Sequence, residues 1–237
     1  PVNASRKMPQ HCISKALALV FILTCCVSCD SEDDGNRVQI GIASTLFELG
    51  TLQYQEEFAV QVSDPDGAPS ANTIVTIKLT PVSYSKGRYV ETDIDTPPDG
   101  TLDRWEPVVS AVCASEDSND NGALDAGEDV NGNGVLDPDV PTLTEHPDKT
   151  PTLTPGSNLI ITDNNGFGSF AVTYPKSEGA WSTVLVTADV SDSLPGNTAT
   201  YSFELGILVK DVAYLTIAPP SGGPSPYGTA SVCTDPN

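Results

Sequence analysis

Residues 56–80, EEFAVQVSDPDGAPSANTIVTIKLT, contain the pattern that decides the fold. Apolar and polar residues alternate on both sides of the segment DPDGAPSAN. A period of two places successive side chains on opposite faces of a β-strand, so each flank predicts a strand with one buried face. The Gly and Pro residues between them favour a chain reversal. The positions expected to be buried are Phe58, Val60, Val62, Val75, Ile77 and Leu79.

The same alternation recurs in three later segments, GSFAVTYP (168–175), STVLVTADV (182–190) and TYSFELG (200–206). No stretch after residue 29 shows the period of an amphipathic helix. About seven short strands, each with one apolar face, require two sheets packed face to face. The sequence therefore predicts an all-β fold, an antiparallel β-sandwich.

Two passages resemble bacterial Ig-like domains of the invasin/intimin group 1 (Big-1) type. The first is VQVSDPDGAPSANTIVTIKL (60–79), which is similar to the family's strand, Asp-Gly-x-Pro turn, Asn and strand. The second is ITDNNGFGSFAVTYP (161–175), which is similar to its TD-x-NG-x-strand passage. The passages occur in the family's order, so the resemblance implies an Ig-like sandwich. Invasin-type proteins repeat this domain in tandem, whereas one copy is present here.

The first 29 residues have the layout of a secretory signal peptide. Lys15 precedes the apolar run ALALVFIL (16–23), and the polar SEDDGN follows Cys29. The run is too short to span a bilayer. Its end resembles a bacterial lipoprotein signal, which implies a lipid on Cys29, with Cys26 as the alternative acceptor. We therefore expect a lipid-anchored protein of the bacterial cell envelope, periplasmic or at the cell surface, with a tether over residues 30–37.

Only two cysteines, Cys113 and Cys233, follow the predicted leader. An exported protein is expected to pair them, because its compartment is oxidising. Two free buried thiols are the alternative. A zinc site is not indicated, since the cysteines are far apart in sequence and His146 is the one histidine after the leader.

Acidic residues dominate the charge of the chain, with 32 Asp and Glu against 11 Lys and Arg and a formal net charge of −21. Such a surface repels nucleic acid and attracts divalent cations. Between Glu91 and Asp139 lie 14 of the 32 acids. This segment falls between two β-rich blocks, 38–90 and 157–217, which together have the length of one Ig-like domain. We therefore predict a sandwich over 38–217 with a loop-rich insertion over 91–156, followed by a Pro/Gly-rich tail over 218–237.

Two twelve-residue patterns of EF-hand type lie in tandem inside this insertion. Such a loop needs oxygen ligands at positions 1, 3, 5 and 9, a glycine at 6, a backbone carbonyl at 7 and a bidentate carboxylate at 12. The first loop (117–128) fills every position, and its predicted Ca²⁺ ligands are Asp117, Asn119, Asn121, the Ala123 carbonyl, Asp125 and Glu128. The predicted ligands of the second loop (129–140) are Asp129, Asn131, Asn133, the Val135 carbonyl and Asp137.

The last position of the second loop is Val140, so we expect Asp139 or a borrowed ligand there and a weaker site. A leucine stands at position 8 of each loop, and Leu124 is expected to pin the first loop to a core. The alternative for both loops is a solvated acidic linker. Oxygen ligands without imidazole or thiolate favour calcium over a transition metal. A third, poorer match runs over 95–106, where a β-turn explains the sequence equally well.

No exit helix fits between the loops, because Glu128 is followed directly by Asp129. The tandem resembles the calcium loops of thrombospondin type 3 repeats and, more distantly, dockerin loops. This resemblance implies that calcium acts as a structural staple rather than as a conformational signal.

The expected function is a non-enzymatic, calcium-binding surface lipoprotein that serves in adhesion or scaffolding with a partner the sequence does not name. Ser-His-Asp or Cys-His chemistry would need His146, which lies in the loop-like TEHPDKTP. No pair among the many acids is marked for glycoside hydrolysis. The alternatives are a cell-surface hydrolase, the accessory module of one, or a calcium-dependent docking module.

Overall fold

The computed structural model describes residues 35–95, 97–145, 153–154, 156–190 and 197–237. The predicted leader with Cys26 and Cys29, the tether up to residue 34, and His146 lie outside these ranges. Within them the chain forms nine strands and two short 3₁₀ helices but no α-helix, and no helix there is long and apolar enough to cross a membrane. The strands are β1 (Arg37–Leu49), β2 (Gln53–Ser63), β3 (Ile74–Thr92), β4 (Arg104–Ala114), β5 (Thr142–Thr144), β6 (Leu159–Ile161), β7 (Phe167–Pro175), β8 (Ser182–Val190) and β9 (Thr198–Glu204). The 3₁₀ helices are Lys176–Glu178 and Val209–Asp211.

Two antiparallel sheets confirm the predicted sandwich. One sheet has the strand order β1-β2-β7-β5, and the other has the order β4-β3-β8-β9, with β6 paired to β3. Immunoglobulin domains place strands A, B, E and D in one sheet and C′, C, F and G in the other. The described strands follow the same order when β4 takes the place of C′ and β5 that of D.

The core lies between the sheets and is built from the alternating strands. All six positions that the opening segment predicted as buried, three on β2 and three on β3, are at most 8 % exposed. Phe58 stacks on Phe170 of β7 with ring centroids 5.3 Å apart, and it also meets Phe203 of β9. Removing these apolar surfaces from water is the main stabilising term of the fold.

β3 extends beyond the sandwich and carries a second, smaller core. Its first half pairs with β8, whereas residues 83–92 pair with β4. Beside this second half lies the C-terminal tail (218–237), where Gly87 N donates to Gly228 O at 2.9 Å and Tyr89 N donates to Gly223 O at 2.7 Å. The tail thus takes the edge of β3 that β8 leaves free. The buried residues of this second core are Tyr84, Tyr89, Cys113, Trp181, Val212 and Tyr227.

The segment 91–156 contains more of the sandwich than the sequence analysis assigned to it. β4 and β5 both lie inside it, and Leu153 is buried in the main core. The sequence pattern did not predict β4, because several of its apolar residues, such as Val108 and Val109, are about half exposed. Its apolar residues therefore do not alternate with polar ones. The connection that remains between β4 and β5 is residues 115–141.

The predicted disulfide between Cys113 and Cys233 is present, with Cα atoms 5.5 Å apart. It ties the C-terminal tail to the end of β4, directly before the acidic connection.

Candidate metal centre

The acidic connection between β4 and β5 begins beside β3. Ser115 N donates to Val82 O at 3.0 Å, and Glu116 N donates to Asp137 O at 2.8 Å. The two ends of the connection are therefore hydrogen-bonded to each other next to the sandwich. The first predicted loop and most of the second lie between Glu116 and Asp137.

The first loop turns around Asp117, at position 1. Asp117 Oδ1 accepts a hydrogen bond from Asn121 N at 3.0 Å, and Oδ2 accepts one from Gly122 N at 2.9 Å. Gly122 has a φ of +73°, in the left-handed region that glycine adopts without steric cost. The glycine required at position 6 is thus used for the turn that the EF-hand pattern expects.

The side chains at positions 3, 5 and 9 of the first loop converge on one point. Asp125 Oδ2 accepts hydrogen bonds from Asn119 Nδ2 at 2.9 Å and from Asn121 Nδ2 at 2.8 Å. These two bonds hold the pKa of the Asp125 carboxyl below its usual value. Ala123, whose carbonyl is the predicted ligand at position 7, donates its N–H to Asn121 Oδ1 at 2.7 Å.

Glu128, at position 12, closes the first loop. Its Oε1 accepts from Ser118 N at 2.9 Å and from Ser118 Oγ at 2.7 Å, and its Oε2 accepts from Asp125 N at 2.9 Å. The bond from the Ser118 hydroxyl and then the bond from Asp125 N lower the pKa of Glu128. Both carboxylate oxygens are therefore held in place at the base of the loop.

The second loop repeats most of these hydrogen bonds at equivalent positions. Asp129 Oδ2 accepts from Gly134 N at 3.1 Å, in the role of Asp117. Asp137 Oδ2 accepts from Asn131 Nδ2 at 2.7 Å and from Asn133 Nδ2 at 2.8 Å, in the role of Asp125. Val135 N donates to Asn133 Oδ1 at 2.7 Å, as Ala123 does to Asn121.

Sequence reasoning missed the carboxylate that lies at the base of the second loop. Asp139 and Val140 are exposed, whereas Glu116 is 2 % exposed and faces the loop. Glu116 Oε1 accepts from Val130 N at 3.0 Å and from Asn131 N at 3.2 Å, and Oε2 accepts from Asp137 N at 3.1 Å. The signal was available in the repeat of EDSNDNGALDAG (116–127) as EDVNGNGVLDPD (128–139), in which Glu116 corresponds to Glu128.

The donor atoms of both loops suit a hard cation. Among the described residues, none of the loop carboxylates at positions 1, 9 and 12 forms an ion pair with Lys or Arg. The nearby Lys78 pairs instead with Asp120, at position 4 of the first loop, at 2.9 Å. The Asn NH₂ groups occupy the points where positive charge is needed. Rotating an amide by 180° would turn its oxygen toward a cation at the centre of the loop, in exchange for the backbone N–H bond that this oxygen accepts. Calcium takes six to eight such oxygens.

The third match, over 95–106, does not form a loop of this type. Glu106 pairs with Arg104 instead of facing Asp95, and Asp99 Oδ1 accepts from Thr101 N at 2.7 Å within a turn. One oxygen each of Asp93, Asp95 and Asp103 lie within 4.8 Å of one another at this end of the β3–β4 hairpin. Asp93 and Asp103 also accept hydrogen bonds from backbone N–H groups of the turn, from Gly100 and Ile94. The turn explanation therefore accounts for this segment.

The expectation that Leu124 pins the first loop to a core is wrong, because Leu124 is 36 % exposed. Polar contacts hold the loops instead, chiefly those of Glu116 and Glu128. Their buried carboxylates accept backbone N–H groups that would otherwise be unsatisfied.

Comparison of the chain with protein-family models, with curated proteins and with solved structures finds no match. The class that the described residues define is an all-β sandwich of immunoglobulin strand order with a tandem acidic loop between two of its strands.

Proposed function

We propose that this chain is a non-enzymatic, calcium-binding module of the bacterial cell envelope or surface. In this role Ca²⁺ fixes residues 116–139 against an Ig-like sandwich. The observation that carries the proposal is the repeated arrangement of side chains. In each loop, two Asn amides, at positions 3 and 5, donate to the Asp carboxylate at position 9. A composition-driven linker has no reason to repeat hydrogen bonds at equivalent positions.

Calcium would supply the positive charge that this arrangement needs. In the first loop the ion would be held by Asp117, Asn119, Asn121, Asp125 and Glu128, together with the Ala123 carbonyl. Without a cation, the like charges of these carboxylates repel one another. Calcium binding therefore favours the closed form of the loop over an open, solvated form.

Adhesion or scaffolding at the cell surface is the role that this architecture supports best. The lipoprotein-type leader and the Big-1-like passages both favour an exported, anchored protein that presents a rigid domain. Extracellular calcium modules bind with dissociation constants of roughly 10⁻⁴ to 10⁻³ M, so such a site is occupied outside cells and empty in the cytoplasm. Calcium would then act as a constitutive staple of the exported protein.

Limited proteolysis with and without chelator tests the proposal. We expect calcium to protect the segment between Glu116 and Asp139, and chelation to expose it to cutting. In calcium, Glu128→Gln should be cut within the first loop (117–128) much faster than the wild type, because it removes one carboxylate of the first site.

The matched control is Asp66→Asn, which makes the same kind of change on the exposed β2–β3 turn. This variant should keep the calcium protection of the wild type. Equal cutting of the wild-type protein with and without calcium would show that the acidic segment is a solvated linker.

A further inference from the structure

Glu116 and Glu128 hold equivalent places at the bases of the two loops. Each accepts backbone N–H groups from positions 2 and 9 of one loop, with its two oxygens divided between them. Each is also nearly inaccessible to solvent, at 2 % and 7 % exposure. Glu116 therefore stands to the second loop as Glu128 stands to the first, although it precedes the first loop in sequence.

Tyr84 of β3 provides an independent observation. Its side chain is 1 % exposed, and its hydroxyl makes no hydrogen bond of normal geometry. The hydroxyl lies near Asn131, Glu116 and Asp129, which belong to the base of the second loop.

A second atom at the same place also lacks a partner. Asp129 Oδ1 is inaccessible to solvent and makes no hydrogen bond. Buried polar atoms without partners are rare in folded proteins because they cost free energy. A cation bound to Asp129, with a coordinated water molecule beside Tyr84, would satisfy both atoms.

We propose that Glu116 is the closing ligand of a second calcium site, formed with Asp129, Asn131, Asn133 and Asp137. The inference rests on the proposed calcium function and adds to it a second ion and its ligand. It also replaces Asp139, which is exposed, as the residue expected at the closing position.

The two sites are then interlocked. Glu128 closes the first site and adjoins Asp129, which opens the second. Glu116 closes the second site and adjoins Asp117, which opens the first. Each site has three carboxylates, so the second should have an affinity similar to that of the first, because ligand charge is a main determinant of calcium affinity.

Calorimetric titration of calcium into the metal-free protein tests this inference. We expect two sites in the wild type and one remaining strong site in Glu116→Gln, with the affinity of the other lowered by about tenfold or more. Glu128→Gln should also lose one site, whereas Asp139→Asn should keep both. Circular dichroism in chelator checks that each variant is folded. If Glu116→Gln fails to fold, Glu116→Asp replaces it, because the shorter carboxylate keeps the charge but reaches the ion poorly.

The outcomes separate this inference from the proposed function. Two undiminished sites in the Glu116 variant, or loss of a site in Asp139→Asn, would overturn the role of Glu116 and leave calcium binding intact. If the wild-type protein has a single site and Glu128→Gln loses it, the role of Glu116 would also be overturned and calcium binding would remain intact. A wild type without saturable binding would overturn the proposed function itself.

Discussion

At the scale of single residues, Glu56 is the clearest departure from an apolar core. It lies on the inward face of β2, between Tyr54 and Phe58, and its Oε2 is inaccessible to solvent and has no hydrogen-bond partner. Burial raises the pKa of Glu56 to about 7. The unfolded chain releases this proton near the ordinary value of 4.5. Between these two values the folded state holds a proton that the unfolded state has lost, so this group lowers stability as pH rises from about 5 to 7.

Glu56→Gln should therefore raise the free energy of unfolding above pH 7 by about 1 to 3 kcal/mol, with a smaller gain at pH 5. Urea unfolding of variant and wild type in chelator, at pH 5 and pH 8, measures the difference. The exposed Glu91→Gln is the control and should show no such growth with pH. A Glu56→Gln variant that is less stable than the wild type at pH 8 would contradict the burial argument.

Residue types at fixed spacing predicted most of the candidate site. The proposed ligands of the first loop lie within one segment of twelve residues, so a single register locates them from Asp117 to Glu128. Glu116 could not be found in this way, because it precedes the first loop in sequence, whereas its carboxylate contacts the second loop. Its role depends on how the chain folds back, with Glu116 N bonded to Asp137 O. Only the internal twelve-residue repeat hinted at it.

At the scale of elements, the β3–β4 hairpin and the C-terminal tail form a second core beside the main one. Tyr227 of the tail shares a buried hydrogen-bond network with Ser182 and Glu178, and the buried Lys86 ammonium donates to Asp235 O. The Cys113–Cys233 disulfide joins the tail to β4. The tail is therefore part of the folded domain rather than an appendage.

Reducing the disulfide, or replacing both cysteines by serine, should destabilise the protein by up to about 4 to 5 kcal/mol, since the bond closes a loop of 120 positions. Urea unfolding with and without reductant gives the magnitude. Proteolysis of the reduced protein should cut first within 218–237, because the polar contacts of the tail remain but its covalent tie is lost. An unchanged unfolding midpoint after complete reduction would contradict this account.

The sequence predicted the central strands better than the edges. An apolar face toward the core is shared by β2, β3, β7 and β8, and this face produces the alternation seen in their sequences, although the polar positions of β7 are buried as well. β4 is an edge strand with exposed apolar residues, and β5 and β6 have three residues each, so their sequences carry no such pattern. The tail packs through scattered residues among prolines and glycines, which local periodicity cannot reveal.

At the scale of the whole molecule, the net charge of −21 and the tandem loops both affect the equilibrium between the open and the closed form of residues 116–139. Carboxylates gathered in residues 116–139 oppose closure of the loops unless a cation binds. Because the strands lie outside this segment, the sandwich should fold without calcium. At about 1 mM calcium, a site with a dissociation constant near 0.1 mM would stabilise the fold by about 1.4 kcal/mol. The melting temperature should therefore rise modestly on adding calcium and fall again on chelation.

Direct measurement of bound calcium per chain tests whether the two loops bind calcium. The metal-free protein is dialysed to equilibrium against about 1 mM calcium in physiological salt, and the calcium inside and outside the bag is measured by elemental analysis. Two sites with dissociation constants near 0.1 mM predict an excess of about 1.8 ions per chain at this concentration, and Glu128→Gln should reduce it to about 0.9. Calcium equal inside and outside the bag, after correction for the net charge of the protein, would contradict the account.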